Sequence, residues 1–212
     1  MTRTQSGTFK RLPREDRRDE LLDAAVALAF DDGLGKITAR RVAARVGVAQ
    51  GLVTHYFGSI DELLAAAFER AAEAERDELD PRPSSDPVAD MRRVLGFYVS
   101  HDRDPAALLW LDAWRESAHR PAVRQAVIRQ MEGDVADLDA IIEAGIASGA
   151  FPEASAKSSM RIIALVDGLA ANAAVRAGLD EPTLDYANVT DFVFSTAERE
   201  LGLPPGALQP ED

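Results

Sequence analysis

ARRVAARVGVAQGLVTHYFG, residues 39–58, decides how this chain of 212 residues is read. Val42 and Val46 stand four apart and share one helix face. Gly47 follows, where the chain must leave that helix, and glycine takes the left-handed conformation without a Cβ penalty. Thr38, just ahead of the stretch, offers a hydroxyl that can cap the first helix. Ala43 is small where a second helix would cross, and Val48 and Val53 complete the apolar seam. The second helix runs from about Gln50 to Tyr56. Two short helices joined at a glycine make a helix-turn-helix, whose second helix is sized for a DNA major groove. Alanine–valine helices broken by glycine also occur in plain bundles, so the flanking sequence has to decide.

Downstream, Ser59 and Glu62 stand in the spacing of a capping box, opening a helix over about 60–79. Upstream, Leu21, Leu22, Ala25, Leu28 and Ala29 recur at helical spacing over about 15–32, and Gly33 stops that helix. The clearest break is PRPSSDP at 81–87. Beyond it helices are expected at about 87–102, 105–118, 121–148, 155–178 and 183–202, with stops at Pro105, Pro121, Gly149 to Pro152 and Gly178 to Pro182. There is no strand alternation and no internal repeat. The expected fold is all-α, about nine helices. Its parts are a flexible basic arm at 1–15, a helix-turn-helix DNA-binding domain at 16–62, a larger helical domain at 63–203, and a disordered tail at 204–212. The helix over 60–79 is long enough, about 30 Å, to link the two domains mechanically.

Composition narrows the function. The hydrophobic share of 46% and charged share of 28% are those of an ordinary globular protein. No apolar run reaches the roughly 20 residues of a membrane span, the amino terminus is polar and basic, and cysteine is absent. A cytoplasmic protein without disulfides, thiolate metal sites or membrane contact is expected. The net charge of −12 is at first sight wrong for a DNA binder. Residues 1–60, however, carry 10 Lys/Arg against 7 Asp/Glu, and residues 61–212 carry 14 against 29. The positive charge lies with the helix-turn-helix, and an acidic body would help turn that end toward phosphate. Arg3, Lys10, Arg11 and Arg14 could add minor-groove or phosphate contacts from the arm.

Within the second helix, Gln50, Leu52 and Thr54 face outward early enough to reach base edges, and Gly51 lets the helix approach the duplex closely. His55 and Tyr56 suit phosphate contacts, which fix register rather than sequence. In the body, Phe97, Tyr98, His101, Trp110, Trp114 and Met131 are candidates to converge on a cavity, with Trp110 and Trp114 four apart on one face. An aromatic stripe is also what a plain core looks like. Such a cavity, with His101 or Asp112 inside, would suit a cationic or flat apolar ligand.

Residues 21–70 resemble the amino-terminal domain of the TetR/AcrR family of transcriptional regulators. The matching pieces are LLDAAVALAFDDG, the T-x-x-x-V-A run from Thr38, GVAQGLVTHYF from Gly47, and S-x-x-E-L-L from Ser59. The resemblance implies backbone or groove contacts at Thr38, Arg40, His55, Tyr56 and Ser59. It implies an effector pocket in the larger domain, and a two-fold dimer through the last two helices, with Ile162, Leu165, Val166, Leu169 and Phe192 as interface candidates. LVDGLA, at 165–170, resembles a subgroup with a choline-regulator-like carboxy-terminal domain. Three positions depart from the family pattern: Ala49 in place of a capping Ser or Thr, Thr54 in place of a common tyrosine, and Ile60 in place of a phosphate-neutralising lysine. The expected partners are a near-palindromic double-stranded DNA operator, a second copy of the chain and a small-molecule effector, making a homodimeric repressor. An all-helical enzyme or carrier is the alternative. His55, His101 and His119 show no metal-ligand spacing, and no G-x-S-x-G or P-loop pattern occurs, so no catalytic residue, metal or cofactor is expected.

Overall fold

Leucine, alanine and phenylalanine at helical spacing give helices along most of the described chain, separated by joints that carry a capping side chain, a glycine or a proline. The computed structural model describes residues 13–172 and 186–209, and within them there are nine α-helices, two short 3₁₀ turns and no strand. They are α1 (Arg14–Asp32), a 3₁₀ turn (Leu34–Lys36), α2 (Ala39–Val46), α3 (Gln50–Phe57), α4 (Ile60–Leu79), α5 (Pro87–Val99), a second 3₁₀ turn (His101–Arg103), α6 (Asp104–Ser117), α7 (Pro121–Ser148), α8 (Ser158–Ala170) and α9 (Tyr186–Leu201). The all-α reading holds, and α4 and α7 keep their expected ends. Helix α5 stops three residues early because the Ser100 hydroxyl accepts from Asp102 N–H and opens the 3₁₀ turn. Arg3, Lys10 and Arg11, and the joint expected near 178–183, lie outside the described residues. Arg14 already belongs to α1, with Pro13 as its N-cap residue.

Two cores form. The first joins Leu21, Leu28, Val42, Val53, Leu63 and Phe68 of α1–α4 to Leu109, Trp110 and Ala113 of α6 and to Val123 and Val127 of α7. The second joins Leu79, Met91 and Leu95 to Leu138, Ile141, Phe151, Ile162, Val193, Phe194 and Leu201. Helices α4 and α7 therefore run through both.

The carboxy-terminal segment expected to be disordered from 204 onward is instead folded back through Gln209. Leu208 is fully buried in the second core. Its N–H donates to the buried Glu198 carboxylate at 3.0 Å, and Arg92 donates to the Ala207 carbonyl at 2.9 Å. Gly202, at φ 76°, turns the chain back. One leucine and one buried acceptor suffice to dock a segment whose composition reads as tail.

Candidate nucleic-acid interface and effector cavity

The reading head is assembled by caps and turns. The Thr38 hydroxyl accepts from Arg41 N–H at 3.2 Å and starts α2. Gly47, at φ 77°, ends it, and Gly47 and Val48 N–H both donate to the Ala43 carbonyl at 2.9 Å. Helix α3 begins at Ala49 with no side-chain cap, so the loss of the hydroxyl at this position is not made good by another residue. Ser59 caps α4 by accepting from Glu62 N–H at 3.1 Å. Val53 and Phe57 are buried under α3. Gln50, Gly51, Thr54 and His55 are exposed, as are Thr38, Arg40 and Ser59, while Leu52 and Tyr56 are half-buried. A Cβ added at Gly51 would meet nothing, so no contact inside the chain requires glycine there. His55 and Tyr56 pack edge to face with centroids 5.5 Å apart. Arg41 pairs with Asp32, and Arg45 with Asp31 at 2.8 Å. Arg40 has no partner among the described residues.

The body contains a half-open cavity of about 610 Å³ between α6, α7 and α8. Of the six candidates, Tyr98, Trp110, Trp114 and Met131 line it together, and the two indole rings lie 5.9 Å apart. Phe97 and His101 do not. Phe97 turns to the opposite side of α5 and lines another cavity, and His101 is exposed, its Nδ1 3.8 Å from Asp104. Consecutive residues on a helix diverge by about 100°, so Phe97 and Tyr98 cannot both face one wall. Asp112 is absent from the cavity as well, because its carboxylate accepts from Leu34 N–H at 2.9 Å and tethers the α1–α2 connection to α6.

Sequence reasoning missed the polar groups set into a mostly apolar lining, Arg103, Glu132, Asp134, Asp139 and Asp167, together with Met160 and Ile163. Asp139, which reads in sequence as part of a solvated helix face, lines the wall. Burial pushes the Asp134 carboxyl up to about 6, against the opposing pull of Arg76. Burial likewise raises Asp167 and holds the Tyr98 phenol far above its ordinary value. Arg103 stacks over Tyr98 at 4.7 Å and its Nε lies 2.7 Å from Glu75. The other Glu75 oxygen accepts from Trp110 Nε1 at 3.1 Å. The next residue on α4, Arg76, pairs with Asp134 at 2.7 Å and Asp137 at 3.0 Å and donates to the Gln130 carbonyl. Two adjacent α4 side chains of opposite charge thus tie the helix that enters the reading head to the cavity wall. Three aromatic rings against several carboxylates favour a cation.

The interface candidates divide. Ile162, Val166 and Leu169 are buried inside the chain at 2%, 4% and 4% exposure, in the second core. They form the face of α8 that packs on α5, α7 and α9, and so cannot meet a second copy. Leu165 is half-buried and Phe192 is 53% exposed, beside exposed Val189. Among the described residues no group of three metal-ligating side chains occurs, and no helix is long and apolar enough to cross a membrane.

Comparison with known proteins follows the same division. The family described as bacterial regulatory proteins, tetR family, matches residues 21–67, and the BetI-type transcriptional repressor carboxy-terminal family matches residues 87–202. The chain is 32% identical to the HTH-type transcriptional regulator BetI of Paraburkholderia phytofirmans over 74% of its own length and 80% of that protein. It is 35% identical to BetI of Paraburkholderia phymatum over 53% of its length, a match that spans 60% of that relative. The fold is shared with a transcriptional regulator from Saccharomonospora viridis solved in complex with choline. That match has a TM-score of 0.73 at 18% identity, covering 89% of this chain and 98% of the other.

Proposed function

Because the chain belongs to the TetR family of bacterial regulatory proteins, with a BetI-type repressor body, and is therefore a DNA-binding transcriptional regulator rather than an enzyme, we propose that it is a homodimeric repressor released from its operator by an organic cation. The observation that carries the effector class is the cavity in which Trp110, Trp114 and Tyr98 face Asp134, Asp139 and Asp167. A quaternary ammonium gains ring-face attraction and carboxylate pairing in one place. The choline bound by the Saccharomonospora viridis regulator belongs to that class.

At the reading head, Gln50, Leu52 and Thr54 take base edges, and Gly51 gives close approach. Thr38, Arg40, His55, Tyr56 and Ser59 hold phosphate. The dimer forms through the exposed side of the last two helices, with Phe192, Val189 and Leu165 at its centre. A C2 pair of α3 helices then reads two half-sites about 34 Å apart on a near-palindrome. Ligand among Trp110, Trp114 and Asp134 competes with Glu75 and Arg76 for their partners and shifts α4. A coupling of about 1–3 kcal/mol lowers operator affinity roughly 5- to 150-fold.

The test is a gel-shift titration with the DNA upstream of its own gene, at stated salt, with and without choline. Selective binding over scrambled DNA, weakened by choline, supports the reading. Equal binding to both DNAs sinks the regulator half, and indifference to choline and tetramethylammonium sinks the effector half.

A further inference from the structure

A second cavity, of about 590 Å³, lies on the far side of the Arg103–Glu75 pair, between α1, α4, α5 and the second 3₁₀ turn. From its geometry we propose that this junction is a separate binding site for an aromatic organic cation, distinct from the cavity around Trp110 and Trp114. Two rings face it, Phe30 of α1 and Phe97 of α5. Phe30 is 46% exposed, a large apolar side chain that packing inside the chain leaves uncovered.

The charge of the lining is settled by which groups are already paired. Its two guanidiniums are both engaged: Arg70 donates to Asp19 and Asp23 at 2.7 Å each, and Arg103 is held by Glu75 and stacks over Tyr98 on the other side. Its carboxylates Glu78 and Asp102 are exposed and have no side-chain partner among the described residues. Two ring faces beside two unspent carboxylates, with no free cation, select a positively charged ligand with an aromatic body. The size falls within the range of small-molecule sites, roughly 300–1,000 Å³. Arg103 lines both cavities, whereas its partner Glu75 lines only this one; their facing atoms, Glu75 Oε1 and Arg103 Nε, are 2.7 Å apart without an aligned hydrogen bond.

The test is calorimetric titration of the full chain, free of DNA, with benzyltriethylammonium. The expected result is two equivalents per chain. Phe30→Ala should weaken one step roughly ten-fold and spare the other. Trp114→Ala should do the reverse. Glu78→Gln, an exposed and nearly isosteric change, should weaken the same step as Phe30→Ala and guards against a folding defect in that variant. One equivalent, lost in Trp114→Ala and indifferent to Phe30→Ala and Glu78→Gln, would overturn the second site. One equivalent sensitive only to Phe30→Ala and Glu78→Gln would support it and overturn the effector cavity instead.

Discussion

Binding of a quaternary ammonium should tighten as pH rises through about 6. Burial raises the Asp134 carboxyl to about 6, so near pH 5 it is about nine-tenths protonated and near pH 7.5 almost wholly ionised. The charged groups facing it are Arg76 and Glu75 from α4 and Arg103 from the second 3₁₀ turn. The two arginines lower its pKa, but burial, the largest cause, together with Glu75 outweighs them. A cation seated nearby prefers the carboxylate form. If it requires that form, affinity changes roughly ten-fold between these pH values, with close to one proton released per ligand on the acid side. Stability of the ligand-free chain responds in the opposite sense. The folded pKa lies above the ordinary 3.8, so this group's contribution is fully present below about pH 4 and is lost as pH rises through about 6. Choline and tetramethylammonium have no group that titrates in this range, and the chain's two tryptophans both line the cavity, so quenching of their emission reads occupancy. Asp134→Asn keeps an acceptor for Arg76 and removes the charge, and should flatten the pH dependence while leaving affinity near pH 5 almost unchanged. A wild-type affinity flat across pH 5 to 7.5, or a slope that survives in Asp134→Asn, would refute the reasoning.

Gln50→Ala should reduce discrimination at one base pair by about 1–3 kcal/mol, whereas Tyr56→Phe should weaken all sequences alike; a panel of mutated operators in the gel-shift assay separates the two. Gly145→Ala should destabilise the fold by about 1–3 kcal/mol in urea melts, because its Cβ would lie 2.0 Å from the ring of buried Phe151. Leu208→Ala should cost about 2–5 kcal/mol in the same melts, and near-zero loss would show that the docked tail carries no load. Gly133→Ala would put a Cβ 2.2 Å from the Arg76 guanidinium and push it off Asp134; operator affinity without ligand should be kept while the response to choline shrinks.

The helices and the reading head were legible because their signals are local. Thr38, Gly47, Ser59 and Pro121 act within one turn of the chain, and the α4 and α7 ends follow from them. The cavity was half legible. Trp110 and Trp114 share a face by spacing alone, but Asp139 looks like a solvated carboxylate until α7 and α8 are brought together. Spacing also made Ile162, Val166 and Leu169 one apolar face, which is correct, but periodicity cannot say whether an apolar face meets its own chain or a second copy. The tail misled for a related reason: its glycines and prolines describe the local chain, while Leu208 is fixed by a pocket that α5 and α9 build at long range.

The two cores bear on how the proposed effector could move a head that is not a separate module. The first core includes α6 and the start of α7 along with α1–α4, so the head has no flexible joint of its own at the start of α4. Close-packed interfaces resist small continuous deformation, and movement is cheapest where packing is interrupted. On α7 the first core ends at Val127 and the second resumes at Leu138, and the cavity wall runs between them from Ile128 to Ala136, with Asp139 just beyond. On α4 the first core ends at Ala72 and the second resumes at Leu79, and Glu75 and Arg76 occupy the gap. Both long helices thus cross from one core to the other beside the cavity, where open space on α7 and the ion pairs of Glu75 and Arg76 on α4 interrupt the apolar packing. On the proposed mechanism, a ligand that claims Trp110 or Asp134 would act on the polar ties across this seam, and the first core would turn as a body with its reading helix attached. Such motion needs no unfolding of α4, only a change in which carboxylates Arg76 and Arg103 hold.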